Sequence, residues 1–142
     1  MQGQCMCGKV KYKVTGVVPG IYQCHCSQCR KITGSSSNSS CIIRDAAFEW
    51  IEGELNITTY SDVSGYRSDF CKFCGSPVPN KFKNSSLYWV PAGSLEDSSN
   101  LKVVAHICTA SKAEWGEIPR GGVQFESIPE LKELLKLVIS RK

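Results

Sequence analysis

Hydrophobic and polar residues alternate along short stretches of this chain, the period of a half-buried strand. Lys9-Val10-Lys11-Tyr12-Lys13-Val14 is the clearest case. Further β-prone runs are Ser40–Ile43, Ala47–Ile51, Asn56–Tyr60, Leu87–Val90 and Leu101–Val104. Turn residues separate the later runs at Glu52-Gly53, Ser64-Gly65, Lys83-Asn84 and Arg120-Gly121-Gly122. Short strands at this spacing predict a mainly β, antiparallel system and not βαβ units. Only the C-terminal stretch carries a helical period. Ser127-Ile128-Pro129-Glu130 reads as a capping box. Leu131, Leu134, Leu135 and Val138 follow on one face, giving a helix over about 128–140 that packs on the sheet. Lys136, Arg141 and Lys142 suit the negative end of its dipole. A second, shorter helix starts at Ser27, which caps the turn holding Gln28, Cys29 and Arg30.

A length of 142 residues fits one domain, 1–142, with a core of its own. Met1-Gln-Gly-Gln-Cys5 shows no apolar leader, and no apolar run reaches the ~18 residues of a membrane span. The expectation is a cytoplasmic protein, so metal or redox chemistry explains the cysteines better than a disulfide framework.

There are 9 cysteines. Seven fall into the clusters Cys5-Met6-Cys7-Gly8, Cys24-His25-Cys26-Ser27-Gln28-Cys29 and Cys71-Lys72-Phe73-Cys74-Gly75. Two clusters end in Cys-Gly; the third runs into Arg30-Lys31. In a zinc knuckle the backbone turns its N–H groups toward the sulfurs, and glycine after the second cysteine permits that turn. The residues therefore divide into Cys5, Cys7, Cys71 and Cys74 as one closed structural zinc site, and Cys24, Cys26 and Cys29 as a second zinc site. The fourth place at the second site is open to His25, His106, Cys41, Cys108, water or a substrate. A three-ligand zinc with an exchangeable position is the chemistry of catalytic sites, and thiolate-rich zinc favours an incoming thiol. Arg30 and Lys31 are candidates for recruiting an anionic thiol, and His25 for moving a proton. Filled sites would carry −2 and −1, so the formal charge of +4 falls to about +1. With no stripe of interleaved aromatic and basic residues, the chain does not read as a nucleic-acid binder.

The order Cys5-x-Cys7-Gly8-x-Val10, then Cys24-His25-Cys26-Ser27-x-Cys29-Arg30-Lys31-x-x-Gly34-Ser35, then Phe70-Cys71-x-x-Cys74-Gly75-Ser76 resembles the glutathione-dependent formaldehyde-activating enzyme family, which also includes centromere protein V. Gly93-Ser94-Leu95, His106-Ile107 and Ser111-Lys112-x-x-Trp115 extend the likeness. The resemblance implies a zinc-stapled, tent-like β fold with two Zn2+ sites on the residues divided above. It also implies a carbon–sulfur lyase that condenses glutathione, or another small thiol, with formaldehyde or another small aldehyde to S-(hydroxymethyl)glutathione or its analogue. Two other readings are a non-catalytic zinc- or glutathione-binding module and a redox enzyme. The redox reading needs a reactive free thiol, and only Cys41 and Cys108 remain, with no Arg or His beside them in sequence.

Overall fold

A computed structural model describes residues 1–16, 19–97 and 99–139. The fold is mainly β, with eleven strands and two α-helices among the described residues. It divides into two compact units. The first comprises Met1–Val17 and Ile42–Ser99, and the second Val18–Cys41 and Asn100–Lys142.

In the first unit, strands β1 (Gln2–Gln4), β2 (Lys11–Val14) and β5 (Phe48–Glu52) form an antiparallel sheet in the order β1-β2-β5. The alternation read from the sequence places Tyr12 and Val14 inside and Lys13 outside. Tyr12 stacks on Phe48 and Phe48 on Tyr88, with Trp50 edge-on to all three rings, so one face of this sheet is held by aromatic contact. Strands β6 (Ile57–Ser61) and β7 (Arg67–Cys71) form a separate two-stranded sheet, while β8 (Asn80–Lys81) and β9 (Leu87–Pro91) pair antiparallel and continue a larger sheet beside β4 (Asn38–Arg44). The polar sequence of β7 hides it from a hydrophobic scan. Ser68 and Asp69 are nonetheless buried, because Arg67 donates to both Asp69 carboxylate oxygens at 2.9 and 2.8 Å. A small core of Cys5, Val10, Cys71 and Val78 joins the N-terminal turn to the end of β7.

The Glu52-Gly53 turn is as tight as its sequence suggests. Gly53 has φ +85°, and a Cβ there would overlap the Lys9 carbonyl. Gly53→Ala therefore combines left-handed strain with a backbone clash, and is expected to cost about 3 kcal/mol of stability in urea unfolding.

In the second unit, strands β3 (Gly20–Cys24), β10 (Lys102–Ile107), β11 (Val123–Gln124) and the first part of β4 (Asn38–Arg44), up to Cys41, lie in the order β11-β10-β3-β4. The pairing of β3 with β4 is antiparallel, as the strand spacing predicts. The other two are parallel: β10 runs parallel to β3 and to β11. Parallel pairing needs a long return path, and between β4 and β10 the chain supplies one by running through the residues of the first unit. The register sets Ile107 beside Cys24, so both strands end at the same level.

Helix α1 (Ser27–Thr33) begins at the expected place, but its cap is Cys26 and not Ser27. The Cys29 amide donates to Cys26 Sγ at 3.4 Å, so the sulfur does the work assigned to the hydroxyl. Helix α2 (Leu131–Val138) is shorter than 128–140; position 140, like Arg141 and Lys142, lies outside the described residues. The capping box does not form: the N-cap is Glu130, with no side-chain cap bond. Residues 125–127 are held elsewhere, their carbonyls accepting from the amides of Thr109, Ala110 and Cys108. That pairing competes with helical backbone geometry and wins. Helix α2 packs on β10 and β3, burying Leu134 and Val138. No helix among the described residues is long and apolar enough to cross a membrane.

Candidate metal centres

Each unit contains one cysteine cluster. In the first unit, the sulfurs of Cys5, Cys7, Cys71 and Cys74 all lie within 4.8 Å of one another. Two reverse turns deliver them. The Gly8 amide donates to the Cys5 carbonyl at 3.0 Å, and the Gly75 amide to the Cys71 carbonyl at 2.8 Å. Both glycines have φ +75°, the left-handed conformation that a side chain would strain. The two turns are therefore near copies, and the glycine that follows each cysteine pair makes them so. The Val10 amide donates to Cys5 Sγ at 3.3 Å, and Ser76 Oγ lies 3.3 Å from Cys74 Sγ while accepting the Met6 amide.

The separations fit a tetrahedral ion. Cys5 and Cys7 sulfurs are 3.6 Å apart, and Cys7 and Cys71 sulfurs 3.8 Å. Four thiolates at about 2.3 Å from a shared zinc stand about 3.8 Å from one another. The protonation pattern of the metal-free cluster is uneven. The Ser76 hydroxyl, aided by the Ser76 and Cys7 amides, draws the Cys74 thiol down to about 5. The Lys9 amide favours the Cys7 thiolate, but desolvation and the sulfurs of Cys5, Cys74 and Cys71 together push it up to about 11.

In the second unit, the sulfurs of Cys24, Cys26 and Cys29 lie within 4.8 Å of one another. Cys24 is the last residue of β3, Cys26 is the N-cap of α1 and Cys29 sits in its first turn. The strand-to-helix turn thus gathers three sulfurs from one short stretch. No fourth Cys, His, Asp or Glu completes the set among the described residues. Hydrogen bonding from Cys29, with help from the Cys26 amide and the Cys26 and Cys108 thiols, pulls Cys24 down to about 6 against the effect of burial. The reciprocal interaction with Cys24, together with burial, drives the Cys29 thiol far up.

The remaining candidates have distinct places. Cys108 follows β10 directly, has φ +56°, and contacts Cys24; burial and its Cys24 neighbour push its thiol up to about 12. Its nearness to Cys24 follows from the parallel register and was not readable from the sequence. Cys41 is fully buried in β4, and desolvation alone raises it to about 12. His25 and His106 are brought together: His25 Nε2 lies 3.1 Å from His106 Nδ1, and the rings are 3% and 1% exposed. Their other hydrogen bonds go to the backbone of Ser36 and Gly121, respectively. Desolvation lowers the pKa of both rings. This pair, joining residues 81 apart in sequence, was missed because neither histidine carries a local signal. Arg30 Nη2 donates to the Ser111 carbonyl at 3.4 Å, while its Nε is buried with no partner among the described residues. Lys31 is exposed on α1.

Comparison with known proteins bears on the whole arrangement. A curated relative, an uncharacterized lyase of Schizosaccharomyces pombe, is 23% identical over 137 residues, covering 95% of this chain and 97% of its own length. A Rhodobacter sphaeroides protein of known crystal structure shares the fold, with a TM-score of 0.56 and 24% identity over 88% of this chain and 99% of that one. The glutathione-dependent formaldehyde-activating enzyme family model matches residues 1–111, a stretch that holds both cysteine clusters, His25, His106 and Cys108. With that match spanning most of its length, the chain belongs to the glutathione-dependent formaldehyde-activating enzyme family.

Proposed function

We propose that the protein is a zinc-dependent carbon–sulfur lyase that joins a small thiol of the glutathione type to a small aldehyde such as formaldehyde. The observation that carries this reading is the three-sulfur set of Cys24, Cys26 and Cys29, which no fourth Cys, His, Asp or Glu joins within 4.8 Å of all three among the described residues, although Cys108 contacts Cys24. Family membership and the lyase name of the fission-yeast relative support it. The four-sulfur set of Cys5, Cys7, Cys71 and Cys74 is the structural zinc site in this reading.

A zinc ion held by three thiolates is soft, and it acidifies a thiol it takes up, which supplies a nucleophile at neutral pH. The chain's own residues prepare for that chemistry. Cys24, Cys26 and Cys29 present their sulfurs from a strand end and a helix start, gathered within 4.8 Å of one another by one turn. Arg30, in the same helix, is proposed to draw a carboxylate of the thiol substrate by its charge. Lys31 adds positive charge beside it. In the reaction a carbon–sulfur bond forms, the carbonyl π bond opens, and the oxygen takes the proton released by the thiol. His25 does not face solvent, and its ring is engaged with His106 and Ser36. Water is therefore the proposed carrier of that proton from sulfur to oxygen.

Exchange NMR tests the proposal. The rate of interconversion between free glutathione with formaldehyde and their adduct should rise in proportion to protein concentration. A rate that stays at the spontaneous value with zinc-loaded protein would reduce the chain to a thiol- or zinc-binding module.

A further inference from the structure

We infer that His106 is a positioning residue for the second cysteine cluster, acting through His25. The inference rests on the reading of Cys24, Cys26 and Cys29 as a metal-binding set, and adds a residue to which that reading gives no role.

His25 sits between two of the three cysteines. Neighbouring side chains on extended backbone point to opposite sides, so the turn that presents Cys24 and Cys26 one way sends His25 the other. There it meets His106 on β10, Nε2 to Nδ1 at 3.1 Å, with the rings 5.4 Å apart and nearly sealed from solvent. The backbone reinforces the join: the His25 amide donates to the Ile107 carbonyl at 3.0 Å. His106 is itself fixed. Its own carbonyl accepts the Phe125 amide at 2.8 Å, and its ring bonds to the backbone of Gly121. On the far side, the His25 ring bonds to the backbone of Ser36. A continuous polar strut thus runs from Ser36 through His25 and His106 to Gly121, with the Cys24–Cys26 segment at its middle.

A buried imidazole nitrogen left without its partner costs free energy, and the cheapest relief is movement of the ring that carries it. For His25, that movement drags the backbone between two sulfurs. A metal site is sensitive to such a shift, because ligands must converge within a few tenths of an ångström. Loss of a partner bonded directly to a metal ligand lowers affinity about 10–100-fold, and a support that acts through the backbone between two ligands is expected at the lower end of that range.

Two substitutions of similar volume separate positioning from packing. The amide of His106→Asn reaches as far as Nδ1 and can still bond His25. The amide of His106→Gln reaches farther along the ring axis and leaves His25 unpaired. Cobalt(II) is titrated into the full chain, and affinity is read by chelator competition and the sulfur-to-cobalt absorption band. Cys29→Ser, which removes the second site, provides the first-site spectrum for subtraction. H106Q is expected to weaken the second site about 10-fold or more and shift its ligand-field bands, while H106N stays within a few-fold of wild type. Affinity at the first site should not move in either variant. Wild-type affinity and spectrum in H106Q would overturn the inference, as would equal losses in H106N and H106Q. A wild-type chain that takes up one cobalt only would remove the metal reading of the second cluster, and this inference with it.

Discussion

Cys71→Ser is expected to leave the chain unfolded at 25 °C, with the far-ultraviolet circular dichroism of a coil and no bound zinc. The sulfur it removes is fully buried and belongs to two structures at once. It is part of the core with Cys5, Val10 and Val78, and it stands 3.8 Å from Cys7 in the four-sulfur cluster. Structural zinc binding contributes on the order of 10 kcal/mol to small domains. A whole domain is stable by only about 5–15 kcal/mol, so little margin survives the loss. Serine replaces a thiolate by a hydroxyl that zinc holds poorly, and it puts an oxygen where β7 ends against apolar neighbours. A strong chelator applied to wild-type protein should produce the same coil. A folded, zinc-free Cys71→Ser chain would show that the first cluster does not hold the unit together.

Cys29→Ser should have the opposite character: the fold persists and the chemistry goes. The side chain lies in the first turn of α1, and the helix keeps its other supports, including the Cys26 cap and the left-handed Gly34 at its end. A hydroxyl there costs about 1 kcal/mol of stability, since the change is small in volume and a helix terminus offers hydrogen-bond partners. The metal proposed for the second cluster, however, would lose one of its three cysteine ligands. Metal-assisted activation is worth several kcal/mol, so thiol–aldehyde exchange should fall on the order of 100-fold, to the spontaneous rate. Metal stoichiometry should drop from two to one per chain. Retention of both metals, or unfolding as complete as that of Cys71→Ser, would contradict the division of labour between clusters.

Local rules read the cysteine turns well because each depends on a few adjacent residues. A glycine after Cys7 and after Cys74 announced a left-handed turn, and both adopt φ +75°. The exposed-buried alternation of β2 was equally direct. Rules failed where a distant partner decided the outcome. Ser127 looks like a helix cap, but its carbonyl bonds to the Cys108 amide, and the helix waits until Leu131. Arg67-Ser-Asp69 carries no apolar signal, but it forms the start of β7, with Ser68 and Asp69 buried and Asp69 bound by Arg67. The His25–His106 pair and the Cys24–Cys108 contact both arise from the parallel register of β3 and β10, which no short window contains.

The two clusters also differ in the order in which translation can complete them. Cys7 and Cys71 are 64 residues apart, so the first cluster cannot close until the ribosome has delivered Cys74. Cys24, Cys26 and Cys29 emerge together, and by chain statistics their ring costs about 2 kcal/mol less to close than the longer one. A nascent chain therefore holds all three sulfurs proposed for catalysis while the set proposed for folding still has only Cys5 and Cys7. Between those moments the growing chain carries a thiolate-rich site with none of the second unit's later strand, β10, to restrain it.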